Sequence, residues 1–319
     1  MKKIFALFAT LAFAACAAAQ AAEFPTRPVR LLVGFPPGGP IDIQARLIAQ
    51  KLSERLKQSV VVENRPGADG VLATNAVASA EPDGHTLILV SIGFATVPSL
   101  NKALPYDPRK DFAPVVYTAA GAMVLAAHPS VPAKNVKELL ELARSRPGQI
   151  NYGSAGLASS NHLGMELLAR SAGVRMNHVP YKGAAPATTD LLAGRIQVML
   201  NPISNALPHM ATGKLRALGV STAKRAAAAP DVPAIAETVP GFDVTLWSGI
   251  LAPARTPPGT VALLNREIDA ILASEETRQS LAKYGFEPVG GKPEDFARFV
   301  NEELDKWAAV VRDAGIKHE

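Results

Sequence analysis

The chain has 319 residues, of which 33 are Lys or Arg and 28 are Asp or Glu, so its formal net charge is +5. The basic residues are scattered along the chain, which excludes the clustered basic patch that nucleic-acid binding requires. Cys16 is the single cysteine, so no disulfide can form within the chain and core burial must hold the fold together.

The N-terminus has the pattern of an export signal. Lys2 and Lys3 precede an apolar run over 4–16, and Ala19-Gln20-Ala21 forms an Ala-x-Ala cleavage site. We expect removal of residues 1–21 and location in the periplasm. A membrane anchor is disfavoured because the run is shorter than the ~20 apolar residues of a span. Lipidation at Cys16 is a weaker alternative, because the residues before it match a lipoprotein signal poorly.

Without residues 1–21, the chain has 298 residues and a net charge of +3, since the leader contains two of the 33 basic residues. That length suits about two domains. Strand-like and helix-like segments then alternate, which predicts a parallel sheet covered by helices on both faces. In the first part, the pattern predicts strands at 29–34, 60–63 and 86–91 and helices at 41–57 and 69–80.

The alternation restarts after residue 130. It predicts helices at 135–145, 160–171, 185–193 and 203–212 and strands at 150–153, 177–179, 195–200 and 215–220. A last strand is expected at 244–251, followed by helices at 261–273 and 293–314. Two long strand-like stretches, 114–127 and 242–252, are expected to cross between two lobes and form a hinge. The predicted lobes are 24–122 plus 246–319, and 123–245.

Ligands of open α/β sheets bind outside the carboxyl ends of the strands, where helix N-termini gather. The first loop of this kind, 34–40, contains Gly38 and Gly39, which allow close approach of the backbone. Its free N–H groups and the helix dipole favour a carboxylate. For Asp42 we favour a structural role as a first-turn acid that complements the dipole.

The second loop, 152–160, is rich in small residues and hydroxyls. Its amides could hold an anion, with Ser154, Ser159 or Ser160 as further donors. One of Ser159 and Ser160 is also expected to cap the following helix. For His162, in the first turn of that helix, a structural role is favoured.

Three further strand ends complete the candidate site, at 91–96, 180–184 and 201–205. The residues predicted to line the ligand site are Phe35, Pro36, Pro37, Gly38, Gly39, Ser91, Phe94, Ser154, Gly156, Leu157, Ala158, Ser159, Ser160, Tyr181, Lys182 and Asn201. Lys182 is equally compatible with a solvated position on the rim.

Motifs of catalysis and cofactor binding are missing from the sequence. It contains no G-x-S-x-G, G-x-G, P-loop or H-E-x-x-H, and no His/Cys/carboxylate cluster has metal-ligand spacing. We therefore predict no enzyme activity, no cofactor and no metal.

At these loops the chain resembles the substrate-binding receptors of tripartite tricarboxylate transporters, also called the Bug family. The resemblance covers essentially the whole chain after the leader. The matching stretches are 28–46 (PVRLLVGFPPGGPIDIQAR), 62–70 (VENRPGADG), 104–108 (LPYDP), 151–166, 178–183 (HVPYKG), 190–194 (DLLAG), 216–225 (RALGVSTAKR) and 256–258.

The resemblance implies a type II periplasmic-binding-protein fold, with two α/β lobes joined by two crossing strands. It implies a small carboxylate as ligand, whether a di- or tricarboxylate, an acidic amino acid or an aromatic acid. The loops 35–39 and 154–160 would hold it, often through water. A membrane permease is the implied partner of a monomeric receptor, with a membrane sensor kinase as another.

The chain departs from the family pattern in three places. Leu157-Ala158 replaces a more polar pair, Asn201-Pro202 stands where an acid is common, and Asp69 interrupts a usual Gly-Ala-Gly-Gly. The first two changes lie on the expected cleft wall and favour an apolar or aromatic acid. Two alternatives stay open from the sequence: an exported serine hydrolase with its serine in 154–160 and His162 as base, and an interaction protein with an orphan cleft.

Overall fold

The computed structural model describes residues 24–67, 70–157 and 159–316. The predicted leader and Cys16 lie outside these residues, as do Asp69 and Ala158. The strands are β1 (Val29–Val33), β2 (Val60–Asn64), β3 (Thr86–Ser91), β4 (Phe112–Gly121), β5 (Met123–Ala127), β6 (Asn151–Ser154), β7 (Asn177–Pro180), β8 (Val198–Pro202), β9 (Arg216–Val220), β10 (Leu246–Pro253) and β11 (Phe286–Pro288). The helices are α1 (Pro40–Leu56), α2 (Val71–Ala78), α3 (Gly93–Leu100), α4 (Val136–Ser145), α5 (Ser160–Ser171), α6 (Ala184–Leu192), α7 (Ile203–Ala211), α8 (Pro258–Leu272), α9 (Glu275–Ala282) and α10 (Pro293–Ala314).

The strands form two sheets, each the centre of one lobe. In the first lobe the strand order is β11-β4-β10-β3-β1-β2, and β1 pairs in parallel with β2 and β3. In the second lobe the order is β7-β6-β8-β5-β9, and β6 pairs in parallel with β7 and β8. The strands that arrive from the other lobe, β10 and β5, run antiparallel to both of their neighbours.

The chain crosses between the sheets at two adjacent places. β4 ends in the first sheet at Gly121 and β5 begins in the second at Met123, so only Ala122 separates them. On the return, Val244 donates its N–H to Ser221 of the second lobe, and Leu246 pairs with Gly121 of the first. Sequence alone had suggested one continuous strand over 114–127; the structure breaks it at Ala122, where the chain changes sheets. The predicted lobe boundaries at 122/123 and 245/246 stay a prediction.

The core explains why the strand sequences are apolar nearly throughout. Side chains of a strand alternate between faces, and both faces of each sheet are covered. In β1, Leu31 and Val33 pack into one cluster with α1 and α8, while Leu32 packs into the other. In β5, Val124 faces the layer of α6 and α7, and Leu125 the opposite layer. Burial on both sides accounts for the continuous apolar runs.

Three elements were not expected from the sequence. α3 occupies 93–100, which had been interpreted as a loop, and it includes Pro98. α9 and the three-residue edge strand β11 follow α8. They are short, with too few residues for a periodic pattern to emerge.

Candidate ligand-binding cleft

Two neighbouring cavities open at the carboxyl ends of the parallel strands. The first, which we call the interlobe cavity, has a volume of ≈ 340 Å³, comparable to a small-ligand site. The second, the annex, has a volume of ≈ 610 Å³ and lies on the first lobe beside the crossing strand β10. Phe35, Ser91 and Ile92 line both cavities, so the two are adjacent.

Both lobes contribute to the interlobe cavity. From the first lobe come residues of the β3–α3 turn and α3, including Gly93, Thr96 and Asn101. From the second lobe come Ala155, Gly156, Leu157, Ser159 and Ser160. The loop 152–160 thus faces this cavity, whereas Phe35 is the part of the loop 34–40 that lines it and Pro36–Pro40 line the annex.

The first-lobe loop is held in place by Asp42, which is 2% exposed. Its carboxylate accepts hydrogen bonds from the Gly38 N–H (2.8 Å), the Asn64 side chain (2.8 Å) and Arg46 (2.9 Å). Burial by itself would raise the pKa of Asp42, but the hydrogen bonds from Arg46, Gly38 and Asn64 bring it below its ordinary value. Asp42 thus fixes the loop and complements the positive end of α1, the structural role expected from the sequence.

Glycine is required where this loop is tightest. Gly38 has φ +84°, which favours glycine. A Cβ on Gly34 would lie 2.7 Å from Cα of Gly70, so the two backbones touch there. A side chain at Gly34 would push the loop into the cleft or away from the sheet.

The second-lobe loop ends in a serine cap. Ser159 is the N-cap of α5: its hydroxyl accepts from the N–H of His162 at 3.4 Å and donates to the carbonyl of Gly156 at 2.7 Å. Gly156 has φ +138°. The first turn of α5 contains no acidic residue. The positive end of α5 therefore faces the interlobe cavity without a side-chain anion.

Ser154 lies beneath this loop and does not reach the cavity. It is 0% exposed, and its hydroxyl is 2.6 Å from Nε2 of His178 and 2.9 Å from the carbonyl of Gly156. The ring of His178 stacks on that of His162, with centroids 3.9 Å apart, and the ring of Tyr152 lies nearly parallel to both, its centroid 5.0 Å from that of His178 and 6.3 Å from that of His162. Sequence analysis missed His178 as the partner of Ser154, and no spacing rule links the two.

The stacked histidines are neutral near pH 7. Burial lowers the pKa of His162 to about 4, helped by the proximity of His178, and burial lowers the pKa of His178 to about 4. Burial also raises the pKa of Tyr152, whose hydroxyl donates to Glu166. This cluster supports the loop from below as an uncharged stack.

Four other predicted residues lie outside both cavity linings. Tyr181 donates its hydroxyl to Asp190 at 2.8 Å, and burial together with this carboxylate raises the pKa of Tyr181 to about 12. Lys182 is exposed. Asn201 is 0% exposed and donates to Thr188, and Phe94 packs against Phe112. The cavities are lined by the remaining described candidates, which are Phe35, Pro36, Pro37, Gly38, Gly39, Ser91, Gly156, Leu157, Ser159 and Ser160.

Sequence reasoning missed the walls that come from distant parts of the chain. The annex is closed by Leu246 and Trp247 of β10 and by Phe286 of β11. Leu246 and Trp247 lay within a predicted crossing strand, a signal for the hinge but not for the ligand site. Nothing in the sequence around Phe286 indicated a position beside the cleft.

No charged side chain lines either cavity among the described residues. Within 24–67, 70–157 and 159–316, no group of three or more His, Cys, Asp or Glu residues could hold a metal ion. Across the same residues, no helix has the length and apolar character to span a membrane. An anion in this cleft would meet main-chain amides, hydroxyls and helix ends.

Comparison with known proteins decides the family. A model of the "Tripartite tricarboxylate transporter family receptor" matches residues 44–316. The chain belongs to this receptor family. It is 36% identical over 315 residues to protein BugT of Bordetella pertussis, covering 96% of this chain and 95% of BugT. It is 39% identical over 290 residues to a protein in the tcbD-tcbE intergenic region of Pseudomonas sp. strain P51, with 90% and 86% covered.

Solved structures of the receptor family agree in fold. Rpa4515 of R. palustris, solved with adipate, has a TM-score of 0.78 at 39% identity, with 92% of this chain and 99% of that chain covered. MatC of Rhodopseudomonas palustris, with bound malate, has a TM-score of 0.73 at 35% identity, with 90% and 100% covered. A ligand-free solute-binding protein from Polaromonas has a TM-score of 0.82 at 26% identity, with 91% and 99% covered.

These comparisons confirm the predicted family and the two-lobed periplasmic-binding-protein fold. Members of the family are solute-binding receptors, not enzymes, so the serine hydrolase alternative is set aside. The burial of Ser154 agrees, because a nucleophile must reach its substrate.

Proposed function

We propose that this receptor captures a small carboxylate between its two lobes in the periplasm and delivers it to the membrane permease of a tripartite tricarboxylate transporter. The observation that carries the proposal is the interlobe cavity, lined by loops of both lobes. The adipate and malate in the structures of its relatives support a carboxylate.

The cavity offers an anion a specific set of donors. The N-terminus of α5 borders it, as does α3 from Gly93 to its C-cap Asn101, and neither helix has an acid in its first turn. Unpaired amides and the helix dipole favour negative charge at such ends. Ser91, Ser159 and Ser160 add hydroxyls, and water can bridge the remaining distance at small enthalpic cost.

The hinge makes capture possible. Both crossings of the chain lie side by side, at 121–123 and 244–246, so small rotations of a few backbone bonds move one lobe against the other. A ligand that touches both loops stabilises the closed form because only that form offers both sets of donors.

A pair of glycine variants tests this site. Gly156→Ala places a side chain at φ +138° beside the cavity, and its Cβ would lie 3.3 Å from the carbonyl of Tyr181. Gly173→Ala strains the backbone at φ +62° just beyond the other end of α5, in open space. Gly173→Ala should cost about 1 kcal/mol of stability, and Gly156→Ala about 1–3 kcal/mol because its φ lies further from the conformations that alanine adopts. Only Gly156→Ala should weaken carboxylate binding, by tenfold or more.

The ligand is first identified by mass spectrometry of molecules that co-purify with the protein, then titrated by calorimetry. A broad carboxylate screen without any binding or thermal stabilisation would overturn the proposal and favour an interaction protein with an orphan cleft. Delivery and location are tested by cell fractionation and by uptake of the identified acid in cells with and without this receptor. Retained uptake in its absence would contradict the assigned role in transport.

A further inference from the structure

The annex adds a second, chemically different compartment to the cleft. Its walls are Phe35, Pro36, Pro37, Ile41, Leu246, Trp247 and Phe286, with glycine backbone at one rim. The indole N–H of Trp247 is turned away and donates to the buried carboxylate of Glu303 at 3.0 Å. The indole N–H of Trp247 is therefore already paired and is not available to a ligand in the annex.

The size of the annex suits a substantial apolar group. An apolar cavity of about 150 Å³ holds benzene, and the annex has ≈ 610 Å³. It adjoins the interlobe cavity at the shared residues Phe35, Ser91 and Ile92. One ligand can thus extend from one compartment into the other.

The two compartments differ in their capacity for negative charge. At the annex rim, the first turn of α1 already contains a negative charge, that of Asp42, whose carboxylate accepts the N–H of Gly38. Pro40, at the start of the same helix, has no N–H to donate. In the interlobe cavity, α3 and α5 have no first-turn acid. A ligand carboxylate is consequently favoured between the lobes and disfavoured at the annex.

A second carboxylate in the annex would lose its hydration without gaining a counter-charge. No described residue of the annex carries a charged side chain, and burial of an unpaired carboxylate is costly. Burial of an aromatic ring or an alkyl chain there is favourable.

We propose that the cleft selects monocarboxylates with an apolar body, aromatic or of medium alkyl length, over acids with two or three carboxylates. The carboxylate lies between the lobes and the apolar body fills the annex. This inference rests on the proposed function and specifies its ligand class.

Calorimetric titration of the purified protein with phenylacetate, hexanoate, adipate and malate tests the selectivity. Phenylacetate and hexanoate are expected to bind at least tenfold more tightly than adipate and malate. Tighter binding of adipate or malate would overturn the ligand class while leaving the receptor function intact. No binding of any carboxylate in the wider screen would overturn the proposed function itself.

A charge placed on the annex wall tests the orientation. Ile41→Lys supplies the missing counter-charge, so we expect adipate to bind at least tenfold more tightly and phenylacetate at least tenfold more weakly than in the unmodified protein. Val61→Lys adds the same charge to an exposed position of the edge strand β2, outside both cavities, and should keep the original order. Equal weakening of all acids by Ile41→Lys would contradict the assignment of the annex.

Discussion

At the scale of single residues, one buried carboxylate holds Trp247 of the crossing strand β10 in position. Glu303, 4% exposed, accepts the indole N–H groups of Trp247 (3.0 Å) and Trp307 (2.9 Å) and pairs with Lys306. Its negative charge therefore links α10 to the crossing strand β10. Trp247 is oriented by this contact, which a neutral side chain cannot reproduce in full.

Glu303→Gln should lower the free energy of unfolding by about 2–4 kcal/mol, because both indole N–H groups exchange a charged acceptor for a neutral one and Lys306 loses its carboxylate partner. Urea unfolding measures the loss. Glu302→Gln, on the exposed side of the same helix, should stay within about 0.5 kcal/mol of the unmodified protein. Similar losses in the two variants would show that Glu303 has no special structural role.

The stacked pair His162 and His178 predicts a pH dependence of stability. Both have a pKa of about 4 in the folded protein, against about 6.5 in an unfolded chain. Between these values the unfolded state binds more protons, so the free energy of unfolding falls as the pH drops from about 6.5 towards 4. Above pH 6.5 this contribution is fully present.

Urea unfolding from pH 7.5 to 5.0 measures the slope, which approaches about 1.4 kcal/mol per pH unit for each proton. His178→Gln keeps a hydrogen-bonding group near Ser154 and should make the slope shallower. His209→Gln, a histidine of α7 outside this stack, serves as control and should leave it unchanged. An unaltered slope in His178→Gln would contradict the neutral stack.

At the scale of secondary-structure elements, a helix cap beside the cavity can be compared with one distant from it, which distinguishes an effect on ligand binding from an effect on stability. Ser159 caps α5 beside the interlobe cavity, while Asn135 caps α4 away from it, accepting from the N–H of Glu138 at 2.9 Å. Each caps a helix of ten residues or more. Loss of either cap leaves a first-turn amide without its partner.

Ser159→Ala and Asn135→Ala should each cost about 1 kcal/mol of stability. Ser159→Ala should also weaken ligand binding severalfold, because the lost hydroxyl borders the ligand, whereas Asn135→Ala should not. Thermal unfolding and calorimetry on the same samples give both quantities. If both variants bound the ligand like the unmodified protein, Ser159 would be a cap only.

At the scale of the whole molecule, ligand binding is expected to close the lobes. A compact chain of about 298 residues has a radius of gyration of about 19 Å, and an open two-lobed form exceeds it. Small-angle X-ray scattering at saturating ligand should show a smaller radius than without ligand. An identical scattering profile in both conditions would count against closure.

The sequence by itself determined the alternation of strands and helices, the position of the loops 34–40 and 152–160 at strand ends beside the cleft, and the role of Asp42. These are local properties: apolar periodicity reports burial, and glycine followed by a helix start reports a loop that a ligand can approach. The family resemblance rested on the same local stretches, and the comparison with known receptors confirmed it.

Only the tertiary structure decided which distant segments of the chain are in contact. The break at Ala122, the helix at 93–100, the pairing of Ser154 with His178 and the closure of the annex by Trp247 and Phe286 all depend on contacts between residues far apart in the chain. Such contacts produce no periodic pattern in the sequence, because the residues around each partner follow only the periodicity of their own helix or strand. The shape and polarity of the cleft, and hence the proposed ligand class, follow from packing between segments that the sequence keeps separate.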